Sequence, residues 1–387
     1  MFTIKPFDYI LLKLASRCNI QCTYCYWFRD ETVYAKDKIL NEDAELNLIS
    51  ALDRHLKKYQ LKLFSILLHG GEPMLFGKNR FIQLCRKLRS VTQTNGCRLN
   101  LSITTNGMLI DDEWCFIFNS FEIKVTLSLD GPPNVHDSRR IDFQQQGTSA
   151  KVIAAYFLLK RHQIRTGILG VCKPDTNPIL FRDFFVKELG ETNFDILVPD
   201  ATHEEQPASI AGFYKSLFDI WLHEFQSTNL RIRFIETIVK GLMGYRSTSE
   251  SIGYRPVGTI TILTDGSIEP LDVFRIAGNG STATGLNVAK DEIQDLADHS
   301  LWLEIRDASL NLHPTCKSCA FHDACGGGHI ASRWSRENRL NNPSVYCRDF
   351  QEIFSYISAK IMPSLYFAEN DKKSSIVTEQ NCSHVSI

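Results

Sequence analysis

The residues of this sequence that could do chemistry most readily are its cysteines. The chain has 387 residues and 12 cysteines, and its N-terminal residues lack the apolar core of a secretion signal. Most cysteines fall into two groups with short spacings: Cys18, Cys22 and Cys25, and then Cys316, Cys319, Cys325 and Cys347. Thiolates at such spacings bind zinc or iron–sulfur clusters, because soft sulfur suits both. The sequence therefore predicts metal or redox chemistry before structural disulfides.

The first group has the form C-x3-C-x2-C and follows directly on the first predicted strand. Three thiolates on one tight loop can bind three irons of a [4Fe–4S] cluster, which leaves the fourth iron without a protein ligand. That open iron could bind a substrate or a cofactor. The alternatives are three free buried thiols or a zinc loop, although zinc prefers paired C-x2-C knuckles with a fourth protein ligand.

This segment resembles the signature of the radical S-adenosylmethionine (SAM) superfamily. In that superfamily the open iron chelates the amine and carboxylate of SAM, and an electron from the cluster cleaves the sulfonium to give a 5′-deoxyadenosyl radical. The resemblance implies a SAM-binding [4Fe–4S] cluster and SAM as cofactors. It also implies an electron donor, such as a flavodoxin or a ferredoxin, as a partner.

A glycine-rich motif ends the second predicted strand and resembles the GGEP motif of the same superfamily. It comprises Gly70, Gly71, Glu72 and Pro73. Glycines at a strand end allow the backbone to approach a bound ligand closely. The resemblance implies that the motif meets the methionyl amine of SAM, with Glu72 as an anion for the ammonium. The alternative is a Gly-Gly turn before a helix that begins with proline.

Two further strand ends and the cysteine loop carry other residues that resemble SAM contacts. Asn106 lies in a TNG element after strand three, and Ser128, at the end of strand four, would touch the ribose. An arginine after strand four would meet the SAM carboxylate, with Arg140 as the first choice and Arg139 as the second. Tyr24 resembles the aromatic residue that borders adenine. Taken singly, each could be a surface or packing residue, but successive C-terminal strand ends are where such barrels place chemistry.

The elements that must position these residues are short strands alternating with helices over about residues 8–200. We count six such units, too few for the eight of a closed barrel. The predicted fold class is therefore α/β, a partial (β/α)6 barrel, and the resemblance implies the same fold. The predicted strands are Tyr9–Ala15, Phe64–Leu68, Leu99–Thr105, Ile123–Leu129, Thr166–Val171 and Phe194–Val198.

The pattern changes after Asp200. Helices are predicted at Ala208–Phe225 and Phe234–Met243, and the Asp265-Gly266 turn predicts a hairpin. A segment rich in cysteine and glycine follows over residues 310–347 and needs something other than an apolar core to hold it. A last helix is predicted over about Asp349–Ile361.

The second cysteine group has the form C-x2-C-x5-C-x21-C and could ligate one complete [4Fe–4S] cluster or a zinc ribbon. It resembles the SPASM-type extension of peptide-modifying radical SAM enzymes. A full SPASM domain has about seven cysteines and two auxiliary clusters, but here Leu271 and His329 stand where two of those cysteines are usual. The resemblance therefore implies two [4Fe–4S] clusters in all, one that binds SAM and one auxiliary. His329 could be a ligand or could donate to one.

The expected domains are a radical SAM partial barrel (1–205), a helical bridging region (206–260), a SPASM-like auxiliary cluster domain (261–365) and a flexible tail (366–387). The net charge is −1. This excludes the strong basicity that would favour nucleic acid or an anionic membrane surface as a partner. No apolar run approaches the ~18 residues of a transmembrane helix. We expect a cytoplasmic enzyme that binds neither nucleic acid nor membrane.

The resemblance extends to enzymes that form cyclophane (triceptide-type) cross-links in ribosomally made precursor peptides. In these, an aromatic ring carbon is joined to the β-carbon of a nearby residue. The expected function is thus a radical SAM oxidoreductase acting on a precursor peptide. A general base must remove a proton, and Asp200 and Asp272 are the candidate catalytic residues. As plain sequence features, both could equally be solvated carboxylates or helix caps.

Two alternatives remain open at this stage. The first is another radical SAM modification of a peptide or protein: formylglycine formation, thioether formation or epimerisation. The second is a zinc-stabilised binding protein without catalysis, which neutral charge and the SAM-like motifs disfavour. The reduced cysteine set favours the cyclophane reaction over sulfatase maturation, which normally uses two auxiliary clusters.

The cysteine count predicts the metal content. Anaerobic reconstitution should give about eight irons per chain, because two clusters of four iron atoms can be ligated. Iron and acid-labile sulfide assays measure this directly. About twelve irons would contradict the prediction of a single auxiliary cluster, and zinc in a colourless protein would favour the non-catalytic alternative.

Overall fold

The computed structural model describes residues 5–361. The predicted flexible tail, 366–387, lies outside the described residues, as does Cys382. Within the described residues, no helix combines the length and the apolarity that crossing a membrane would require.

A single twisted sheet forms the centre of the fold. Its six principal strands are parallel and lie in chain order, so each is a neighbour of the next. Alternate residues of the second strand face the helices and are fully buried, as period-two patterning requires. The principal strands are β1 (Tyr9–Ala15), β2 (Leu63–Gly70), β3 (Arg98–Thr105), β4 (Lys124–Ser128), β5 (Thr166–Val171) and β6 (Asn193–Leu197). The sheet order confirms the prediction of a six-unit partial barrel.

Helices cover the outer face of this sheet. Helix α1 begins after Asn41, whose side chain accepts a hydrogen bond from the Ala44 N–H, as predicted for an N-cap. Between β5 and β6 the chain forms a short α-helix, Ile179–Arg182, followed by a π-helical segment, Asp183–Glu188. The longer helices are α1 (Glu42–Tyr59), α2 (Lys78–Thr94), α3 (Asp112–Ser120), α4 (Ser149–Arg161), α5 (Ala211–Thr228), α6 (Arg233–Leu242) and α7 (Ser300–Leu310).

Three short strands extend both edges of the sheet. Strand β7 (Arg231–Ile232) pairs with β6 at one edge. At the other edge β8 (Ile260–Ile262) runs parallel to β1 and forms a hairpin with β9 (Ile268–Glu269). The hairpin predicted at the Asp265-Gly266 turn is confirmed. It belongs to the barrel sheet, however, so a domain boundary at residue 261 would cut through continuous strand pairing.

The C-terminal region consists of short helical turns joined by loops. Residues 347–361 form the last described helix. The Asp349 carboxylate accepts hydrogen bonds from the Ile210 and Ala211 N–H groups at 2.8 and 2.9 Å. It thereby caps the start of α5, which no local sequence signal provides. This contact ties the cysteine-rich region to the barrel side of the molecule.

Candidate functional site

A cavity of about 680 Å³ opens at the C-terminal ends of the barrel strands and continues through the barrel interior. Its volume is in the range of sites that enclose a small-molecule ligand. Most of the residues predicted from the sequence to bind SAM or the SAM-binding cluster line this one space. They are Cys18, Cys22, Cys25, Tyr24, Gly70, Gly71, Asn106, Ser128 and Arg140. Both candidate bases, Asp200 and Asp272, line it as well.

The three thiols of the cysteine loop lie close to polar donors. The Asn106 amide nitrogen is 3.6 Å from Cys18 Sγ, and a guanidinium nitrogen of Arg140 is 3.7 Å from Cys22 Sγ. Burial raises the pKa of Cys18 to about 12 and that of Cys22 to about 11, and it also raises the pKa of Cys25. Three partly buried thiols with sulfur-directed donors, open to one cavity, fit a cationic iron centre that would stabilise them as thiolates.

The two glycines after β2 bring that strand against the cysteine loop. The Gly71 N–H donates to the Ala15 carbonyl at 2.8 Å, and the Glu72 N–H donates to the Arg17 carbonyl at 2.9 Å. A Cβ atom at Gly71 would lie 2.3 Å from the Arg17 carbonyl oxygen. Only glycine permits this approach, and it fixes where the chain turns into Cys18.

The Glu72 carboxylate is buried and its hydrogen bonds are to the protein. It accepts from the Met74 N–H at 3.1 Å, from the Thr105 hydroxyl at 2.8 Å and from the Asn106 N–H at 2.8 Å. Burial raises its pKa to about 7 against these hydrogen bonds. Neither Glu72 nor Pro73 is among the residues that line the cavity. Glu72 thus holds the Asn106 main chain beside the cavity, and its contact with the ammonium group of SAM stays a prediction.

Asp130, which the sequence analysis did not assign a role, organises the arginine side of the cavity. It is fully buried, and it pairs with Arg140 Nε at 3.1 Å and Arg139 at 3.2 Å. Its carboxylate also accepts a hydrogen bond from the Tyr24 hydroxyl at 2.5 Å. Burial alone would raise the pKa of Asp130, but the two guanidinium charges lower it. Its place in the Ser-Leu-Asp-Gly-Pro segment at the end of β4 was the available signal.

The structure separates the two candidate arginines. Arg139 donates to the Cys172 carbonyl at 3.1 Å and to the Val171 carbonyl at the end of β5. Arg140 lines the cavity, and its guanidinium carbon lies 5.5 Å from the centroid of the Tyr24 ring. Arg140 is therefore the arginine available to a ligand, and Arg139 anchors the loop.

Asp272 lies in a network that the sequence did not reveal. Its carboxylate is 2.5 Å from the Lys13 ammonium and 2.5 Å from the Tyr26 hydroxyl. The same ammonium lies 3.2 Å from His69 Nδ1 and 4.1 Å from the centroid of the Trp27 ring. Burial acts to raise the pKa of Asp272, but Lys13, His69 and the hydrogen bond from Tyr26 together outweigh it, and the pKa falls to about 2. Asp272 is thus held as an anion.

Asp200 follows β6 and has a different environment. Burial raises its pKa to about 7; Arg29 opposes the rise, and Asp272 and Glu205 add to it. The cavity therefore holds two carboxyl groups whose surroundings separate their pKa values. Such a pair is typical of sites in which one group exchanges a proton and the other carries a fixed charge.

Residues 12–185 match the family model of the Radical SAM superfamily. This region begins within β1 and contains the cysteine loop, the Gly70-Gly71 turn and the arginine side of the cavity. This part of the chain has the fold of radical SAM enzymes.

Similarity to individual proteins extends over almost the whole length of the enzyme. It is 27% identical over 379 residues to a cysteine-type anaerobic sulfatase-maturating enzyme of Clostridium perfringens, covering 93% of this chain and 98% of the relative. It is 29% identical to the serine-type enzyme of Bacteroides thetaiotaomicron, covering 92% and 90%. A solved structure of native anSMEcpe with bound AdoMet and Cp18Cys peptide superposes with a TM-score of 0.81 at 25% identity, covering 94% and 99%.

The second cysteine group of the chain lines a separate, small cavity. Cys316, Cys319, Cys325 and Cys347 all contribute to its wall, together with the rings of Phe321, Phe350 and Phe354. The Phe321 N–H donates to Cys319 Sγ at 3.4 Å. Burial raises the pKa of Cys325 to about 12 despite a hydrogen bond from the Gly327 main chain. Four thiols around one apolar cavity, with N–H donors to sulfur, fit a fully ligated iron–sulfur cluster.

Leu271 and His329, which replace two usual SPASM cysteines, do not join this small cavity. Leu271 is buried in the main apolar core. His329 lines the large cavity instead, and burial lowers its pKa to about 4, so the imidazole is neutral. His329 therefore lines the large cavity and does not lie among the four cysteines of the second group.

The glycine contact predicts how the first iron site can be disrupted. Gly71→Ala should displace the Arg17–Cys18 main chain and lower the iron content from about eight to about four per chain. Gly212→Ala is the matched control, because a Cβ atom there meets nothing within 4 Å. Iron assays of both variants test this, and full iron content in Gly71→Ala would show that the contact does not position the cysteine loop.

Proposed function

We propose that this radical SAM enzyme is a peptide maturase that oxidises a side chain of a ribosomally made peptide or protein in the large cavity. The observation that carries the proposal is the single cavity that joins the three thiols to Asp200 and Asp272. A radical formed at the cysteine end would lie in the same space as both carboxyl groups. The peptide-bound structure of anSMEcpe supports the proposal, since it covers nearly all of this chain.

The cofactors of the proposal are SAM and two [4Fe–4S] clusters. Cys18, Cys22 and Cys25 would ligate the SAM-binding cluster, and Cys316, Cys319, Cys325 and Cys347 the auxiliary one. When bound, these groups supply a 5′-deoxyadenosyl radical that removes a hydrogen atom from carbon and an acceptor for the electron that must then leave. The reductant would be a flavodoxin or a ferredoxin.

The chain's own residues would bind and orient SAM. The Gly70 and Gly71 main chain, which lines the cavity, is available to the methionyl amine, and Asn106 is held beside it by Glu72. Arg140 is available to a carboxylate, because Asp130 orients its guanidinium without removing it from the cavity wall. Ser128 and Tyr24 would border the nucleoside. Each of these groups is fixed by a buried partner or a strand end, so binding would order few side chains.

We assign proton removal to Asp200. A general base works best when its pKa is near the operating pH, and the pKa of about 7 meets that condition. Asp272 is a weak base, because the Lys13 ammonium and the Tyr26 hydroxyl both donate to its Oδ2 and its pKa is lowered to about 2. Its fixed negative charge would stabilise a substrate that becomes electron-poor as an electron departs.

The comparisons favour oxidation of a cysteine or serine side chain to formylglycine. The similar proteins that cover most of this chain are sulfatase-maturating enzymes of both the cysteine and the serine type. In this reaction the β-carbon loses a hydrogen atom, an electron and a heteroatom-bound proton leave, and for cysteine water then displaces sulfur to give the aldehyde. Asp200 would accept the proton.

Cyclophane formation is the second candidate. The observation that favours it is the replacement of two SPASM cysteines by Leu271 and His329, which leaves thiols for one auxiliary cluster. The cross-link also removes one hydrogen atom, one electron and one proton, so the same cavity would serve it. Thioether formation and epimerisation have no separate support in the structure.

Product analysis decides between these reactions. Under strong reductant, the reconstituted enzyme should convert SAM to 5′-deoxyadenosine, and it should convert a sulfatase-type peptide containing cysteine to an aldehyde that a hydrazine reagent captures. A product lacking two hydrogens and unreactive with hydrazine, formed only from a peptide with an aromatic residue, would establish the cross-link instead. Absence of 5′-deoxyadenosine with intact iron would refute both.

The separated pKa values predict distinct pH profiles for two matched variants. Protonation below pH about 7 inactivates Asp200 as a base, so peptide turnover should rise as pH increases through about 7. Asp200→Asn should abolish this rise of turnover with pH and lower turnover by roughly 100-fold or more. Asp272→Asn should lower turnover but keep the rise, because Asp272, with a pKa of about 2, does not titrate near pH 7. Loss of the rise only in Asp272→Asn would reverse the two roles.

A further inference from the structure

The Arg333 side chain occupies an unusual position beside the second cysteine group. It is buried at the end of a short helical turn, Ile330–Arg333. Its guanidinium donates to the carbonyl oxygens of Ala308 at 2.9 Å, Gly327 at 3.0 Å and Gly328 at 3.1 Å, and also to that of Gly326. Among the described residues its hydrogen-bond partners are all main-chain carbonyls, and no carboxylate forms an ion pair with it there. A buried cation without a counter-ion is costly unless it serves a nearby negative group.

The three carbonyl oxygens belong to a loop that only glycine can form. Gly326, Gly327 and Gly328 have φ angles of +58°, +76° and +71°. A Cβ atom at Gly327 would lie 2.9 Å from the Arg333 guanidinium carbon, so the cation is packed directly against this loop. Since the carbonyls point toward Arg333, the peptide N–H of Gly327 is free to hydrogen-bond to Cys325 on the other side.

The loop therefore separates the guanidinium from the cysteine cavity by the thickness of one main chain. Gly327 and Cys325 both line that cavity, and Arg333 packs behind Gly327. The charge reaches across this distance, because Arg333 opposes the burial that raises the pKa of Cys316 and Cys325. Burial lowers the pKa of Arg333 to about 10, so it remains charged at neutral pH.

The reduction potential of an iron–sulfur cluster depends on net charge, hydrogen bonds to sulfur and exposure to solvent. Reduction adds a negative charge to a cluster that is already anionic with four thiolates. A buried cation and N–H donors stabilise the more negative state, so both raise the potential. Arg333 would act in both ways, directly by its charge and indirectly by orienting the glycine loop.

We propose that Arg333 is a positioning residue that raises the reduction potential of the auxiliary cluster, by its buried charge and by directing the Gly326–Gly328 loop toward the cysteine sulfurs. The inference rests on the auxiliary cluster of the proposed function. A higher potential makes that cluster a better acceptor for the electron that a substrate radical must lose. It does not depend on which side chain is oxidised.

The test is a potentiometric titration followed by electron paramagnetic resonance. A full-length variant with Cys18, Cys22 and Cys25 replaced by alanine isolates the auxiliary cluster and should hold about four irons. In that background, Arg333→Met should shift the midpoint potential to lower values, and Arg333→Lys should restore part of the shift. Arg348→Met is the control: Arg348 follows Cys347 but its side chain is 93% exposed, so its removal should leave the potential unchanged.

Any of the following outcomes would overturn the proposal. One is an unchanged potential in iron-loaded Arg333→Met, and another is an equal shift in Arg348→Met. If Arg333→Met does not take up iron, the potentials of Arg333→Lys and of the neutral donor Arg333→Gln are compared instead. Equal potentials in these two variants, or failure of both to load iron, would show that Arg333 has only a structural role. These measurements need no SAM cleavage, so they are independent of a failure to form 5′-deoxyadenosine. Absence of iron from the triple cysteine variant would refute the auxiliary cluster itself.

Discussion

The close approach of β2 to the chain after β1 is the contact on which the large cavity depends. Gly71 hydrogen-bonds to Ala15, and Glu72 hydrogen-bonds to Arg17, immediately before Cys18. No side chain fits between these two main chains. The position of the first thiol therefore follows from sheet geometry rather than from the loop's own preferences. A metal-binding loop that is anchored in this way can present its sulfur atoms before the metal arrives.

Buried ion pairs fix some of the charged side chains around the large cavity and leave others available to a ligand or a proton. Asp130 neutralises and orients two arginines, yet only Arg140 reaches the cavity. Lys13 holds Asp272 as an anion, whereas Asp200 is left with a raised pKa. Because interactions in a low-dielectric interior are strong, moving one partner would change several groups at once. The cavity wall is in this sense one electrostatic unit built from β1, the cysteine loop, β4 and the segment after β9.

The two cysteine sites differ in a way that suits different chemistry. The first opens on a large, partly polar cavity beside residues able to bind a charged cofactor. The second is small, bordered by aromatic rings, and uses four thiols. An open site can bind a ligand on the metal, whereas a closed one can only transfer electrons. Of the two residues that replace usual SPASM cysteines, Leu271 is buried in the main apolar core and His329 lines the large cavity as a neutral imidazole.

The sequence by itself determined the six strands and the grouping of the cysteines, because strand periodicity and residue spacing are local properties. Tyr9–Ala15 and Thr166–Val171 were predicted to the residue. Only the tertiary structure decided which polar groups meet: Lys13 and Asp272 are 259 residues apart in the chain, and no pattern couples them. The same holds for Glu72, whose carboxylate turns to Asn106, and for the hairpin at β8, which joins the barrel sheet. Side-chain partners and pKa values depend on burial and on charges from distant segments, which local spacing does not specify.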